Sequence, residues 1–301
     1  MKRAILLYNP KAGRGNIERK IVQIVNVFHE VDCDMTPVPI DFGKNPFDGR
    51  EDIDLVVVAG GDGTVNYAVN ALMQKGLKAA IGVIPAGTAN DFAGAIGMSR
   101  KPVDAARQII TGVVESIDCG KVEQMDNADE EPVYFVNIFS FGIFTTTSQH
   151  TPEELKHRIG RMAYGVAAFD ELRKAHAIPL TITTDAETFY YPTLMGLVFN
   201  GETAGRLPIA RKSSLRDGVF DCLFLRKRDT RIQSAMDMLL YMMGIRTRAV
   251  RYLRTSQLML VTPLNEDTDV DGQRGGQFPI RVSCLHGALN VVCPCEEVTK
   301  Q

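Results

Sequence analysis

Several things are missing from this sequence, and each absence removes a class of protein. No apolar run is long enough to cross a bilayer; the most suspicious stretch, Ala235 to Ile245, is short and contains Asp237. The opening MKRAILLYNP has too short an apolar stretch for a signal-peptide core and meets Asn9-Pro10 without a cleavage-like site. Neither sign of charge dominates, with 34 Lys and Arg against 36 Asp and Glu, so no global basic field points to nucleic acid. The six cysteines, Cys33, Cys119, Cys222, Cys284, Cys293 and Cys295, are too scattered for a disulfide framework. Cys293-Pro-Cys295 lacks the second Cys/His pair of a zinc site. Internal repeats and low-complexity tracts are also lacking. The expectation is a cytoplasmic protein with no nucleic-acid partner, whose contact with a membrane is peripheral.

What remains is globular: 301 residues, 45% hydrophobic and 23% charged, enough for two cored domains. In the first third, short apolar runs alternate with helical patterns. Ala4–Tyr8, Asp54–Ala59 and Ala80–Ile84 suit buried strands; Ile17 to Phe28, Val65 to Met73 and Asp104 to Ile110 suit helices. This predicts an α/β domain over 1–122 with a doubly wound parallel sheet. Beyond an acidic turn at Asp126 to Glu131 the period changes to two. Tyr134–Phe139, Pro179–Thr184, Leu194–Phe199, Phe220–Leu225, Leu258–Val261, Ile280–Ser283 and Leu289–Val292 read as strands. Helical stretches at Glu153–Lys174 and Arg231–Leu253 interrupt them. A β-rich, mainly antiparallel domain is predicted over 123–293, with the tail 294–301 returning to the first.

Three glycine-rich turns each follow a predicted strand, where open parallel sheets bind ligands. The first is Asn9-Pro10-Lys11-Ala12-Gly13-Arg14-Gly15; its glycines and cations suit phosphate, although it is no Walker A loop. The second, Gly60-Gly61-Asp62-Gly63-Thr64-Val65-Asn66, surrounds one carboxylate with three glycines. Like charges repel, so Asp62 suits a metal ion or metal-bound water beside a polyphosphate, or else caps a helix; Thr64 is placed to cap the next one. The third runs from Pro85 through Gly87, Thr88, Asn90 and Asp91 to Ala93, with donors for phosphate, or simply an N-cap at Asn90.

N-P-x-A-G, G-G-D-G-T-V-N and P-x-G-T-x-N-D-F-A, in this order, resemble the diacylglycerol kinase catalytic domain, as found in soluble bacterial lipid kinases and, more distantly, in sphingosine and ceramide kinases. Ile117-Asp118-Cys119-Gly120, Ser214 to Asp221 and Asp271-Gly272 look like later motifs of that family. The resemblance implies an NAD kinase/phosphofructokinase-like first domain. It implies ATP held by residues 9–15, 60–66 and Thr88, with Asn90 and Asp91 beside them. It implies Mg2+, with a metal site on Ser214, Asp217 and Val219, unless Asp217-Gly218 is only a turn. The acceptor implied is a membrane lipid hydroxyl, on diacylglycerol, a related glycerolipid or a long-chain base. NAD kinase is the alternative enzyme, and a nucleotide- or lipid-binding regulator without turnover the other alternative.

One position departs from the pattern. Where the family has Asp-Gly-Glu, this chain has Asp271-Gly272-Gln273, and a glutamine cannot take a proton at neutral pH. Asp271 is then the expected base, with Asp62 the other candidate catalytic residue. Finally, Met236 to Met243 is methionine-rich and precedes Arg246, Arg248, Arg251 and Arg254, which suits either a core helix with a basic tail or an anionic bilayer surface. A homodimer is left open.

Overall fold

A computed structural model describes residues 2–10, 12, 17–127, 129–143, 176–201 and 213–295. The predicted helix Glu153–Lys174, the loop residues Lys11, Gly13, Arg14 and Gly15, and the tail from 296 lie outside the described residues.

The first half contains β1 (Lys2–Tyr8), α1 (Ile21–His29), β2 (Cys33–Pro39), β3 (Leu55–Gly60), α2 (Asp62–Lys75), β4 (Ala80–Pro85), α3 (Asp91–Ala95) and α4 (Pro102–Thr111). Its strands are parallel in the order β2-β1-β3-β4. The chain winds from β1 to β2 in one direction and from β3 to β4 in the other, so the switch point lies between β1 and β3. Val56 to Ala59 are buried throughout, as the continuous apolar run requires of a strand covered on both faces. Helix boundaries follow local chemistry: Gly76 ends α2 in the left-handed conformation at φ 65°, its N–H reaching back to Leu72 and Met73 carbonyls. Pro102 opens α4, where its missing N–H costs nothing. Strand β2 was not among the runs singled out above; Pro37 and Pro39 interrupt its pattern, and β2 ends the sheet order, where prolines are tolerated.

The second half contains β5 (Val113–Gln124), β6 (Val133–Phe135), β7 (Ile138–Gly142), β8 (Ile178–Thr184), β9 (Thr188–Phe199), β10 (Phe220–Arg226), α5 (Arg231–Met242), β11 (Val250–Thr255), β12 (Gln257–Val261), β13 (Thr268–Val270), β14 (Gln273–Arg274) and β15 (Ile280–Cys293). Apart from the parallel bridge between β15 and β4, its pairings are antiparallel. Its core gathers much of the sequence's phenylalanine: Phe135 stacks on Phe220 with ring centres 5.5 Å apart, and Phe278 meets Phe141 edge-on at 5.4 Å.

Four predicted elements are corrected. The helix expected over Arg231–Leu253 stops at Met242, and Val250–Thr255 is strand β11, paired with β10. Gly244, at φ 87°, ends the helix there. The strand expected over Tyr134–Phe139 breaks in two at Val136-Asn137. The runs Ile280–Ser283 and Leu289–Val292 join as one strand, β15, irregular between Leu285 and Leu289.

Strands β5 and β15 carry both halves. Ile280 to Leu285 pair with Cys119 to Gln124 in the second half. Leu289 to Cys293 pair with Val113 to Ile117, and Val291 sits parallel to Ile81 of β4, closing the first-half sheet. Val291 is fully buried. Replacing it with alanine removes two methyl-sized groups from this seam, a loss of about 2 kcal/mol. Amide exchange should then rise together in β3 and β8, with one unfolding transition; protection lost only in β3 would show that the halves unfold separately.

Candidate active site

The start of the first turn, at Asn9, meets the second and third glycine turns at the carboxyl ends of β1, β3 and β4. Asn9 N–H donates to Ala59 O at 3.2 Å and Ala86 N–H to Gly60 O at 2.8 Å, tying the first and third turns to β3. The second and third turns touch directly. A Cβ on Gly61 would lie 3.1 Å from the Gly87 Cα, and one on Gly87 would lie 2.5 Å from the Gly61 Cα. Only two glycines allow this approach.

Side chains then staple the contact. Asp62, the first residue of α2, turns its half-buried carboxylate to the start of α3, where Oδ1 accepts the Phe92 N–H at 3.2 Å. Burial pushes its carboxyl upward, against the pull of that backbone. Asn90 has φ 54° and closes its own turn, accepting from Gly87 N–H at 2.9 Å and donating to Gly87 O at 2.8 Å. Two expectations change. Asn90 is not a side-chain N-cap, and neither is Thr64: α2 starts two residues earlier, behind Gly61, and the buried Thr64 side chain fills the space that Gly60 leaves open. No side chain caps α2 and Thr64 N–H donates to Gly61 O at 2.9 Å, so the Asp62 and Gly63 N–H groups are left to meet an anion. Thr88 is exposed and Asp91 half-buried beside this turn; Val65 is core.

The second half reaches the same place through the β13–β14 hairpin. Its two-residue turn is Asp271-Gly272, with φ 51° and 84°, the left-handed pair that suits Asp-Gly. Asp271 is 8% exposed. Its Oδ1 accepts Asn137 N–H at 3.0 Å and Ile138 N–H at 2.8 Å; its Oδ2 accepts Val136 N–H at 2.8 Å and Asn66 Nδ2 at 3.1 Å. A carboxylate has about four acceptor positions, and here they are filled. Asp271, the expected base, is therefore also a clasp between α2, the β6–β7 corner and the hairpin. Gln273, next in the hairpin, is exposed, and its Nε2 lies 3.0 Å from where a Cβ on Gly63 would be.

Asn70, which sequence reasoning passed over, completes the clasp beside Asn66, which was expected at the nucleotide and is instead buried. Asn70 donates to Tyr134 O at 2.8 Å and accepts Tyr134 N–H at 2.8 Å, while Asn66 donates to the same carbonyl at 2.9 Å. Their spacing of four along α2, polar on an otherwise apolar face, was the available signal. Asp118 is also fully buried and knots a second junction: it accepts Gly218 N–H at 2.7 Å and Gly287 N–H at 2.9 Å, and meets His286 Nδ1 at 2.7 Å.

That junction holds the loop with Ser214, Asp217 and Val219, where the family resemblance implies a metal held by the Asp217 carboxylate and two backbone carbonyls. The Asp217 carboxylate is paired with the Arg254 guanidinium on one oxygen and accepts Val219 N–H at 3.3 Å on the other. Ser214 Oγ accepts the Arg216 N–H at 3.3 Å. Arg254 also approaches the buried Asp221 at 3.5 Å. Among the described residues no three acids, histidines or cysteines gather for a metal.

An α/β sheet has its glycine turns at the switch point, where such sheets bind ligands, and a β-rich half brings a hairpin to those turns. Residues 3–122 match the diacylglycerol kinase catalytic domain, and residues 137–293 match the family described as the YegS C-terminal NAD kinase beta sandwich-like domain. A diacylglycerol kinase of Bacillus subtilis is 30% identical over 99% of this chain and 98% of its own length. A solved diacylglycerol kinase from Bacillus anthracis superposes with TM-score 0.71, at 21% identity and 97% coverage of both chains. Yeast NADH kinase, solved with NADH, shares the fold at TM-score 0.54 and 12% identity, over 98% of this chain and 84% of its own. This chain belongs to the diacylglycerol kinase family and is a lipid kinase, with ATP the phosphate donor that its family implies.

Burial pushes the Asp271 carboxyl up to about 6 despite its four donors. A carboxyl raised above its unfolded value of about 3.9 stabilises the fold fully below that value, and the contribution is lost as pH rises through the folded value. Asp271→Asn cannot titrate and turns an amide donor toward fixed N–H groups, at a cost of about 1–3 kcal/mol at neutral pH. Urea midpoints should show the gap between wild type and Asp271→Asn widening from pH 7.5 to pH 4.5; a constant gap would mean that Asp271 does not titrate in this window.

Proposed function

We propose that this chain transfers the γ-phosphate of ATP to the primary hydroxyl of a diacylglycerol-like glycerolipid bound between its halves. The observation that carries the reading is the meeting of Gln273 with Gly63, which puts a second-half side chain against the first-half phosphate loop. ATP, when bound, supplies the phosphoryl group: a bond forms from the lipid oxygen to the γ-phosphorus as the bond to the bridging oxygen of ADP breaks. The first turn of α2, with the turns at Asn9 and Thr88, holds the phosphates. The Gly61–Gly87 contact keeps those turns at fixed spacing. Gln273 orients the incoming hydroxyl or a phosphate oxygen through its amide. Its proton leaves with the phosphate product or to water, because a loose transition state needs positioning more than a strong base.

Two substitutions test the roles. Asp62→Asn keeps an acceptor for Phe92 N–H and removes the charge. If the charge organises the reaction, turnover should fall about a hundredfold or more with little change in Tm. A rate within about threefold of wild type would reduce Asp62 to a staple. Gln273→Glu restores a proton acceptor at the hairpin and should raise kcat by about tenfold; a rate at or below wild type would mean that the amide is itself the working group.

The reaction is read by transfer of labelled γ-phosphate, with magnesium, to diacylglycerol, phosphatidylglycerol, monoacylglycerol and a long-chain base in mixed micelles, with NAD as a soluble competitor. Label in NAD alone would favour the NAD kinase-like relatives' chemistry. Nucleotide binding with no labelled product would favour a regulator.

A further inference from the structure

We propose that the outward face of α5 is the surface on which this protein rests against an anionic lipid bilayer. This deepens the lipid-kinase reading and rests on it for the reason such a surface exists. Helix α5 is firmly set: Thr230 and Gln233 form a capping box, each side chain bonded to the other's backbone N–H at 3.2 Å. One face packs inward. Ser234 is fully buried, and Met238 and Tyr241 lie on a small core with Leu223, Leu225 and Ala249. These positions recur at four and three residues, one side of a helix.

The opposite side is apolar too, and nothing covers it among the described residues. Ile232, Met236, Leu239 and Met243 are 68%, 51%, 52% and 68% exposed, with Ile245 just beyond at 49%. At about 100° per residue they fall half a turn from Ser234, Met238 and Tyr241. The reading as a core helix with a basic tail accounts for the inward face alone: a helix apolar on two faces has a second apolar surface to satisfy.

Charge selects the occupant. Arg226 and Lys227 precede the helix and Arg246 and Arg248 follow it, all exposed. The nearby acids are Asp229, exposed, and Asp237, approached by Arg228 at 3.5 Å. In a chain of net charge −2 this basic frame is a local feature. An apolar stripe with cations at both ends fits a surface that is apolar below and anionic at its face. It fits a second copy poorly. Across a two-fold axis the helix would meet itself antiparallel, setting Arg226 and Lys227 of one copy against Arg246 and Arg248 of the other.

The test is sedimentation of the whole chain with vesicles of phosphatidylcholine, alone or with a third of phosphatidylglycerol. Wild type should bind the anionic vesicles at least about tenfold more tightly. Met236→Asp with Leu239→Asp, at exposed positions, should weaken that binding by about tenfold or more, with unchanged Tm and unchanged rate on a short-chain, water-soluble diacylglycerol. Arg246→Glu with Arg248→Glu should remove the preference for phosphatidylglycerol. Vesicle binding unaffected by the paired aspartates would overturn the proposal. So would light scattering that shows a wild-type dimer dissolved by them, which would make the face an interface between copies. If no vesicle binds while the soluble lipid is phosphorylated, the docking surface fails and the kinase reading stands; if vesicles bind and no lipid is labelled, the reverse holds.

Discussion

The arrangement of this enzyme depends on one buried carboxylate. Asp271 sits in a left-handed turn that its Asp-Gly step makes accessible, and collects N–H groups from α2 and from three successive residues of the β6–β7 corner. Burying an anion is costly, and only a full set of donors makes it tolerable. In return the clasp fixes the hairpin, and the hairpin fixes Gln273 against Gly63. The site exists only while the two halves keep this registration.

Asp62 and Asp118 repeat the device. One carboxylate binds the second glycine turn to α3; the other binds the Gly218 loop to the irregular part of β15. Each acid captures backbone N–H groups that no regular element would satisfy. The chain thus ties the loops at its cleft to the elements beside them, and the exposed pair of Arg254 with Asp217 adds an ion pair at the second junction.

The sequence made the first half legible because its signals are local. A buried apolar run, a glycine turn and a helical period follow one another within about twenty residues, and β1, β3 and β4 came out nearly to the residue. The second half was less legible where local pattern and tertiary pairing disagree. Val250–Thr255 continues a plausible helix on paper, but pairs with β10 in space. Val136 and Asn137 look like strand and are instead the corner that Asp271 holds. The clasp that Asp271 forms could not be read, because its partners lie some 135 and 205 residues away in the chain. An acid in a plausible motif looks the same whether its lone pairs are free or filled. The outward stripe of α5 was ambiguous for a related reason: periodicity shows that a face is apolar, and only the fold shows whether anything lies on it.

Strand β15 has a consequence for how the molecule comes into being. The first-half sheet is completed by Leu289 to Cys293, which follow the whole of the second half along the chain. Until they arrive, the nascent chain carries an open edge along β4 and a nucleotide-binding half that lacks its final strand. The catalytic half, although encoded first, is finished only after the second half has been made, and a nascent chain has to be kept from pairing that edge with a neighbour until its own strand returns.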